Sequence, residues 1–269
     1  MRGDNLRNSG TLFFMDNLVN FDIENSVAIV AINRPRVRNA VNRETADALA
    51  AAFRRFDGDD SLRVAILTGS GGRFCAGADL SAVGTAEGNR VVPDGDGPLG
   101  CTRMMLGKPV IAAVEGFAVA GGLELAIWCD LRVAARDSIF GVYCRRFGVP
   151  LIDGGTVRLP RLIGMSHALD MILTGRGVQG DEAFRMGLVN RLVEPGTALS
   201  AAKALAQQVA EFPQLCMRSD RTSAYEAWTL PLGEALANEY RRGVATIQSG
   251  ETRAGADRFK AGIGRHGKF

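Results

Sequence analysis

Short apolar runs recur in the first half of the chain, at Val27–Asn33, Arg63–Thr68 and Pro109–Val114. Each run has the length of a buried strand, and glycine or proline follows it within two residues. Between the first two runs, apolar residues recur with the spacing of a helix face, and a residue suited to capping a helix, Asn42, precedes them. The pattern therefore predicts a helix over about Arg43–Phe56 between two strands, which is typical of an α/β fold.

The second half of the chain has a different pattern. Leu131–Val142 predicts one or two further strands and Val189–Val193 a short one, whereas most other segments have helical spacing. The predicted helices are Val157–Ile163, Ser166–Leu173, Asp181–Met186, Leu199–Phe212 and most of Gln214–Thr246. Gly84–Gly100 is rich in glycine, aspartate and proline and predicts a mobile loop. We divide the chain into an N-terminal extension at 1–20, expected to be flexible, a core at 21–195 and a helical part at 196–269.

Composition and charge narrow the function classes. The 269 residues carry a net charge of +3, which is too small an excess to indicate a nucleic-acid partner. The five cysteines are isolated and there are only two histidines, so neither a metal site nor a metal cofactor is expected. We find no signal peptide and no apolar run of about 18 residues, so we expect a cytoplasmic protein without a membrane partner.

Two segments that follow predicted strands can present backbone N–H groups to a ligand. One is Arg73–Leu80 (RFCAGADL), and the other, Lys108–Asp130, begins a helix near Gly121. N–H groups at a helix start have no intrahelical partner and suit an oxygen that becomes negative during reaction. Glu124 follows in the first turn, among apolar neighbours. It is either an acid that complements the helix dipole or a general acid/base with a raised pKa.

Taken together, these segments resemble the crotonase (enoyl-CoA hydratase/isomerase) superfamily from about Asn25 to Gly264. The resemblance is carried by VAIVAINRPRVRNAVN, RFCAGADL, KPVIAAVEGFAVAGGLELA, GGTVRLPRLIG and RFKAGIGR. It implies an α/β fold, a crotonase-like spiral of ββα turns with a helical C-terminal trimerisation part, assembled as a homotrimer or hexamer. The implied substrate is an acyl-CoA thioester, with no further cofactor.

The resemblance also implies roles for individual residues. The N–H groups of Ala76 and Gly121 are expected to form an oxyanion hole for the thioester carbonyl, and Glu124 is expected to act as acid/base. Coenzyme A is expected to lie across two loops, and the contact residues are Arg36, Arg38, Ala40, Ala76, Ala78, Asp79, Leu80 and Gly121. Candidates for binding its phosphates are Arg36, Arg38, Arg258, Lys260 and Arg265.

One position departs from the family pattern. Hydratases of this family use two carboxylates, and Cys144 stands where the second glutamate is expected. A thiol is a poor replacement for a carboxylate that activates water near neutral pH. Three readings stay open: hydration by Glu124 alone, a double-bond isomerase, or hydration with Asp153 as the second carboxylate. Thioester hydrolysis, C–C cleavage and a non-enzymatic scaffold or RNA-binding homologue are the remaining alternatives.

Overall fold

A computed structural model describes residues 17–264. The predicted N-terminal extension lies outside the described residues except for its last four positions, and positions 19 and 20 begin the first strand. Arg265 also lies outside the described residues. No helix among residues 17–264 is both long and apolar enough to cross a membrane.

Strands and helices alternate along the described chain. The strands are β1 (Val19–Glu24), β2 (Val27–Ile32), β3 (Val64–Gly69), β4 (Val110–Val114), β5 (Phe117–Val119), β6 (Leu131–Ala135), β7 (Ile139–Gly141), β8 (Gly177–Gln179) and β9 (Arg191–Val193). The helices are α1 (Arg43–Gly58), α2 (Gly121–Trp128), α3 (Gly155–Thr174), α4 (Gly180–Arg185), α5 (Ala198–Glu211), α6 (Gln214–Glu226), α7 (Leu232–Gln248) and α8 (Glu251–Lys260). The predicted α/β class is therefore confirmed.

The main sheet has six strands in the order β1-β2-β3-β4-β6-β9. All neighbouring pairs are parallel except β1 with β2. One face of the sheet is covered by α1, whose Leu49, Phe53 and Phe56 are fully buried. The other face packs against α5 through small residues such as Ala202 and Ala206. Because both faces are covered, the central strands are apolar throughout instead of alternating.

A smaller sheet, β5-β7-β8, lies beside the start of α2. Its three-residue strands are too short for a period to be visible, which is why the sequence pattern did not predict β5 and β8. The predicted strands and helices otherwise occur within a few residues of their expected bounds. Asn42 caps α1 as predicted, since its side chain accepts a hydrogen bond from Thr45 N. The missed elements also include β1 and α8.

Helix α3 follows a turn that contacts α2. α3 is interrupted by a kink at Gly164, whose backbone is non-helical. The two helices predicted here, Val157–Ile163 and Ser166–Leu173, lie on either side of that kink. The first residue of α3, Gly155, directly follows the Asp153-Gly154 turn that faces α2. Beyond α5, the helices α6, α7 and α8 pack on one another.

Candidate active site

The two segments singled out by the sequence are joined by a parallel bridge between Cys75 and Ala118. Cys75 N donates to Phe117 O at 2.9 Å, and Val119 N donates to Cys75 O at 3.2 Å. This pairing continues into the turn after Cys75 on one side and into the start of α2 on the other. The two N–H-presenting segments are therefore placed side by side.

Glycine is required where the two segments approach most closely. Gly77 has φ +95°, and a Cβ there would lie 2.7 Å from Gly121 N. A Cβ at Gly122 would overlap the carbonyl oxygen of Cys75. Since real side chains do not fit at these distances, the glycines permit main chain to meet main chain.

The free N–H groups at this junction belong to Ala78 and Gly121. Within residues 17–264 neither group donates a hydrogen bond. The Ala78 nitrogen lies 3.4 Å from the position that a Cβ of Gly121 would take, so the two residues are adjacent. The residue before α2, Ala120, has φ +53°, a strained conformation for alanine that sets the direction of the helix start.

The prediction that Ala76 supplies an oxyanion-hole N–H is wrong. Ala76 N donates to the carbonyl oxygen of Arg38 at 3.1 Å, so this donor is already used. The sequence could not show this, because the Arg38 carbonyl reaches Ala76 only through the folding of a distant loop. Two positions along, Ala78 offers the unused N–H.

Glu124 lies in the first turn of α2 and is 3% exposed. Its Oε1 accepts hydrogen bonds from Asp153 N at 2.9 Å and Gly155 N at 2.8 Å. A Cβ at Gly155 would lie 2.9 Å from that oxygen, so glycine allows the close contact. Its Oε2 accepts no hydrogen bond from the residues that the structure describes. One oxygen is therefore held and the other is available.

Burial raises the pKa of Glu124 to about 7, and the charge of Asp153 adds to the rise. The hydrogen bonds from Gly155 and Asp153 and the charge of Arg158 act in the opposite direction. Such a carboxyl gains and loses a proton near neutral pH, which is the property of a general acid/base.

Asp153, the candidate second carboxylate, lies beside Glu124, but its carboxylate is partly committed. Its Oδ1 accepts hydrogen bonds from Leu99 N at 3.0 Å and from the Thr102 hydroxyl. Burial raises its pKa, and these hydrogen bonds oppose the rise. Asp153 thus joins the Leu99–Thr102 loop to the turn that holds Glu124. Nothing in the sequence around Thr102 indicated this contact.

Cys144 is buried in a short 3-10 helix at Tyr143–Phe147. Burial raises the pKa of its thiol, and the charge of Glu124 raises it further. The thiol is therefore neutral at physiological pH, and it lies close enough to Glu124 for the two groups to interact electrostatically.

The loop predicted to bind coenzyme A is held in shape by polar side chains. The buried Asn39 has φ +57°, and its side chain donates to the carbonyl oxygens of Ser70 and Arg73 at 2.9 Å and 2.7 Å. The carboxylate of Asp79 pairs with Arg34 at 2.9 Å, and Arg34 also donates to Ala40 O. Arg34 and Asn39 therefore have structural contacts that the sequence did not reveal.

The cationic candidates around this loop are exposed. The side chains of Arg36 and Arg38 make no hydrogen bond or salt bridge to any of the described residues. Leu80 is 47% exposed and ends the second predicted loop. Arg258 and Lys260 lie in the last turn of α8. These groups are placed on the surface, where phosphates can reach them.

A cavity of about 460 Å³ lies on the side of Asp153 that faces α6. Its lining includes Met104, Trp128, Asp153, Arg158, Tyr225 and Trp228. Glu124 is not among the lining residues, so the cavity adjoins the carboxylate pair through Asp153 alone. Among residues 17–264 no group of three or more His, Cys, Asp or Glu side chains is arranged to hold a metal ion.

Comparisons with known proteins show the family of this chain. The family described as enoyl-CoA hydratase/isomerase matches residues 22–262. A short-chain-enoyl-CoA hydratase from Clostridium acetobutylicum is 37% identical over 231 residues, which cover 83% of this chain and 87% of the relative. A crotonyl-CoA hydratase from Syntrophomonas wolfei is 36% identical over 219 residues, covering 80% of this chain and 84% of the relative.

Solved structures give the same result. An enoyl-CoA hydratase from Mycobacterium tuberculosis has a TM-score of 0.87 at 41% identity, covering 91% of this chain and 96% of that one. The crotonase-like fold expected from the sequence is thereby confirmed. The family match over residues 22–262 and these relatives show that this chain belongs to the enoyl-CoA hydratase/isomerase family of enzymes.

Proposed function

We propose that this enzyme is an enoyl-CoA hydratase, which adds water across the double bond of a 2-enoyl-CoA. The observation that carries the proposal is Glu124, which has one oxygen held by two N–H groups, one oxygen free and a pKa of about 7. It stands in the first turn of the helix that begins with the free N–H of Gly121. The names of the two hydratases described above support the same activity.

In the proposed mechanism the thioester carbonyl oxygen accepts hydrogen bonds from Ala78 N and Gly121 N. Water attacks C3 of the enoyl group while Glu124 takes one of its protons, and the electrons of the double bond move through C2 and the carbonyl carbon onto that oxygen. The enolate then returns its electrons, and Glu124 delivers the proton to C2. A backbone donor of this kind contributes about 3 to 4 kcal/mol of barrier lowering.

We propose a supporting role for Asp153 and none in proton transfer for Cys144. The Asp153 carboxylate holds the Leu99–Thr102 loop, and its main-chain N–H holds Glu124. The Cys144 thiol is neutral, so it does not replace the second carboxylate as a base. Glu124 alone then removes and returns the proton.

We propose that coenzyme A lies along the loop at 36–40 and the turn at 76–80. The exposed, unpaired guanidinium groups of Arg36 and Arg38 support phosphate binding there. Arg258, Lys260 and Arg265 are the additional candidates from the C-terminal part. Since phosphate contacts with exposed cations are screened by salt, the affinity for coenzyme A should fall as ionic strength rises.

The assembly and compartment are also proposals. Exposed apolar side chains recur every four residues on α3 (Met165, Leu169 and Leu173) and on α7 (Leu232, Leu236 and Tyr240). Such stripes support burial against further copies, in line with the homotrimer or hexamer implied by the resemblance. Analytical ultracentrifugation distinguishes a trimer from a hexamer by the mass of the assembly in solution. The five unpaired cysteines support a reducing, cytoplasmic compartment.

The direct test of hydration is mass spectrometry of a 2-enoyl-CoA after incubation with the enzyme in deuterated water, over a panel of acyl chain lengths. Gain of one heavy water by a member of the panel is the expected result. A panel in which no thioester gains water would overturn the proposal.

A double-bond isomerase is the second candidate, because Cys144 stands where a hydratase of this family has its second glutamate. A single carboxylate is enough to move a proton between C2 and C4 of an enoyl-CoA. The same experiment separates the two functions, since an isomerase incorporates deuterium without adding water.

A further inference from the structure

Arg158, in the first turn of α3, is partly buried and contacts two separate segments of the chain. Its Nη1 donates to Asp153 O at 2.9 Å and its Nη2 donates to Thr102 O at 2.8 Å. No carboxylate within the described chain forms a salt bridge with it. A partly buried cation without a paired anion costs desolvation, and burial lowers the pKa of Arg158 accordingly.

The position on the helix adds to this cost. Arg158 lies at the N-terminal end of α3, where the helix dipole disfavours a positive charge, and the first turn contains no acidic residue. The backbone is shaped to admit the guanidinium. Gly154 has φ +96°, and a Cβ there would overlap Arg158 Nη1. Glycine at 154 is therefore needed to let the side chain lie across the turn.

The two carbonyl groups that Arg158 holds belong to the turn that contacts Glu124 and to the loop that contacts Asp153. Asp153 N donates to Glu124 Oε1, so fixing the Asp153 carbonyl fixes the turn that holds the carboxylate. Thr102 donates its hydroxyl to Asp153 Oδ1, so the second carbonyl belongs to the loop that braces Asp153. The planar, forked guanidinium of Arg158 therefore donates to the turn and to the loop at the same time and holds the two together.

We propose that Arg158 is a positioning residue for Glu124: by joining the carbonyl groups of Asp153 and Thr102, it fixes the turn whose N–H groups orient the carboxylate, and its charge offsets that of the buried acids. This rests on the proposed role of Glu124 in hydration. Among the titratable groups, Asp153 and Arg158 act most strongly on Glu124, and Glu124 and Cys144 also interact through their charges.

The test compares Arg158→Gln, which removes the charge, with Arg158→Lys, which keeps the charge but loses the fork. The matched control is Arg161→Gln, one turn further along α3, because Arg161 lies over the Trp228 ring and contacts neither carbonyl. The first readout uses no substrate: the Glu124 carboxyl is titrated by ¹³C NMR in protein with labelled glutamate, and Glu124→Gln assigns its signal.

In Arg158→Gln the titration midpoint of Glu124 should rise by about one pH unit, because a nearby cation no longer favours the carboxylate. In Arg158→Lys it should stay near the wild-type value. In both variants kcat should fall about tenfold to a hundredfold with little change in KM, because the carboxylate is misplaced. The control should match wild type in both readouts.

An unchanged midpoint and an unchanged kcat in Arg158→Gln would overturn the proposal. If Arg158→Gln does not fold, Arg158→Lys decides, and wild-type kcat in that variant would overturn it. Because the NMR titration needs no turnover, a wild-type enzyme that hydrates nothing would overturn the proposed function while the midpoint shift still decides the role of Arg158.

Discussion

The proposed oxyanion side of the active site, formed by Ala78 N and Gly121 N, is built from backbone, whereas the proposed carboxylate side, which comprises Glu124, Asp153 and Cys144, is built from side chains. The first depends on glycines that let two stretches of main chain touch. The second depends on hydrogen bonds and charge in a buried setting. Steric changes should therefore damage the oxyanion side, while charge changes and pH should tune the carboxylate side.

The largest effect is expected from Glu124→Gln. The amide oxygen can accept the same two hydrogen bonds, but the group no longer takes a proton, so kcat should fall by about 10³-fold. Calorimetry with coenzyme A should show unchanged binding, since the coenzyme does not depend on the proton transfer. Retention of wild-type hydration would mean that another group moves the proton.

The same variant should be more stable at high pH. The folded-state pKa of Glu124, about 7, lies above the ordinary value of 4.5, so the folded protein binds the extra proton between these values. The free energy of unfolding therefore falls as the pH rises from about 4.5 to about 7, because Glu124 loses this proton. Glu124→Gln should raise the free energy of unfolding at pH 8 by about 3 kcal/mol, measured by urea denaturation.

At pH 4 the difference should shrink to a few tenths of a kcal/mol, because Glu124 is then protonated in the folded protein and mostly protonated in the unfolded protein. An equal or lower stability of Glu124→Gln at pH 8 would contradict the account of its burial.

On the oxyanion side, Gly121→Ala should lower kcat by about 10²-fold. The added methyl group would lie 2.5 Å from Leu99 Cδ1 and 3.4 Å from Ala78 N, so it crowds the gap between the two donors. Steady-state kinetics should show the loss in kcat with the same pH profile as wild type. Gly58→Ala, where a Cβ has no neighbour within 4 Å, serves as the control and should be fully active.

The smallest effect is expected from Cys144→Ala. The thiol is neutral and takes no proton in the mechanism, so kcat should stay within about twofold of wild type. A tenfold loss, measured at saturating substrate, would show that the thiol contributes to the reaction after all.

The same contrast explains what the sequence could predict. The glycines and Glu124 at the start of α2 were identified because strand, turn and helix start are neighbours in sequence, and the resemblance assigned their role. The resemblance led us to assign the oxyanion donor to Ala76, and the sequence could not correct this to Ala78, because the difference depends on which N–H the Arg38 carbonyl takes up.

The carboxylate side was harder to predict because it is assembled from distant parts of the chain. Thr102 and Asp153 are 51 residues apart, and no periodicity connects them. Asp153 was selected as a possible second acid, but its hydrogen bonds to the Leu99–Thr102 loop are a tertiary feature. The role of Arg158 likewise follows only from the two carbonyl groups it reaches.

The pH-rate profile of Asp153→Asn tests most directly whether Glu124 acts alone. Asparagine can accept the same hydrogen bonds from Leu99 N and Thr102 but lacks the charge that raises the pKa of Glu124. We expect kcat above pH 7 to stay within about tenfold of wild type, and the acid limb to move to lower pH, because the Glu124 carboxylate then forms at lower pH. A loss as large as that of Glu124→Gln would contradict the account and make Asp153 the second catalytic carboxylate.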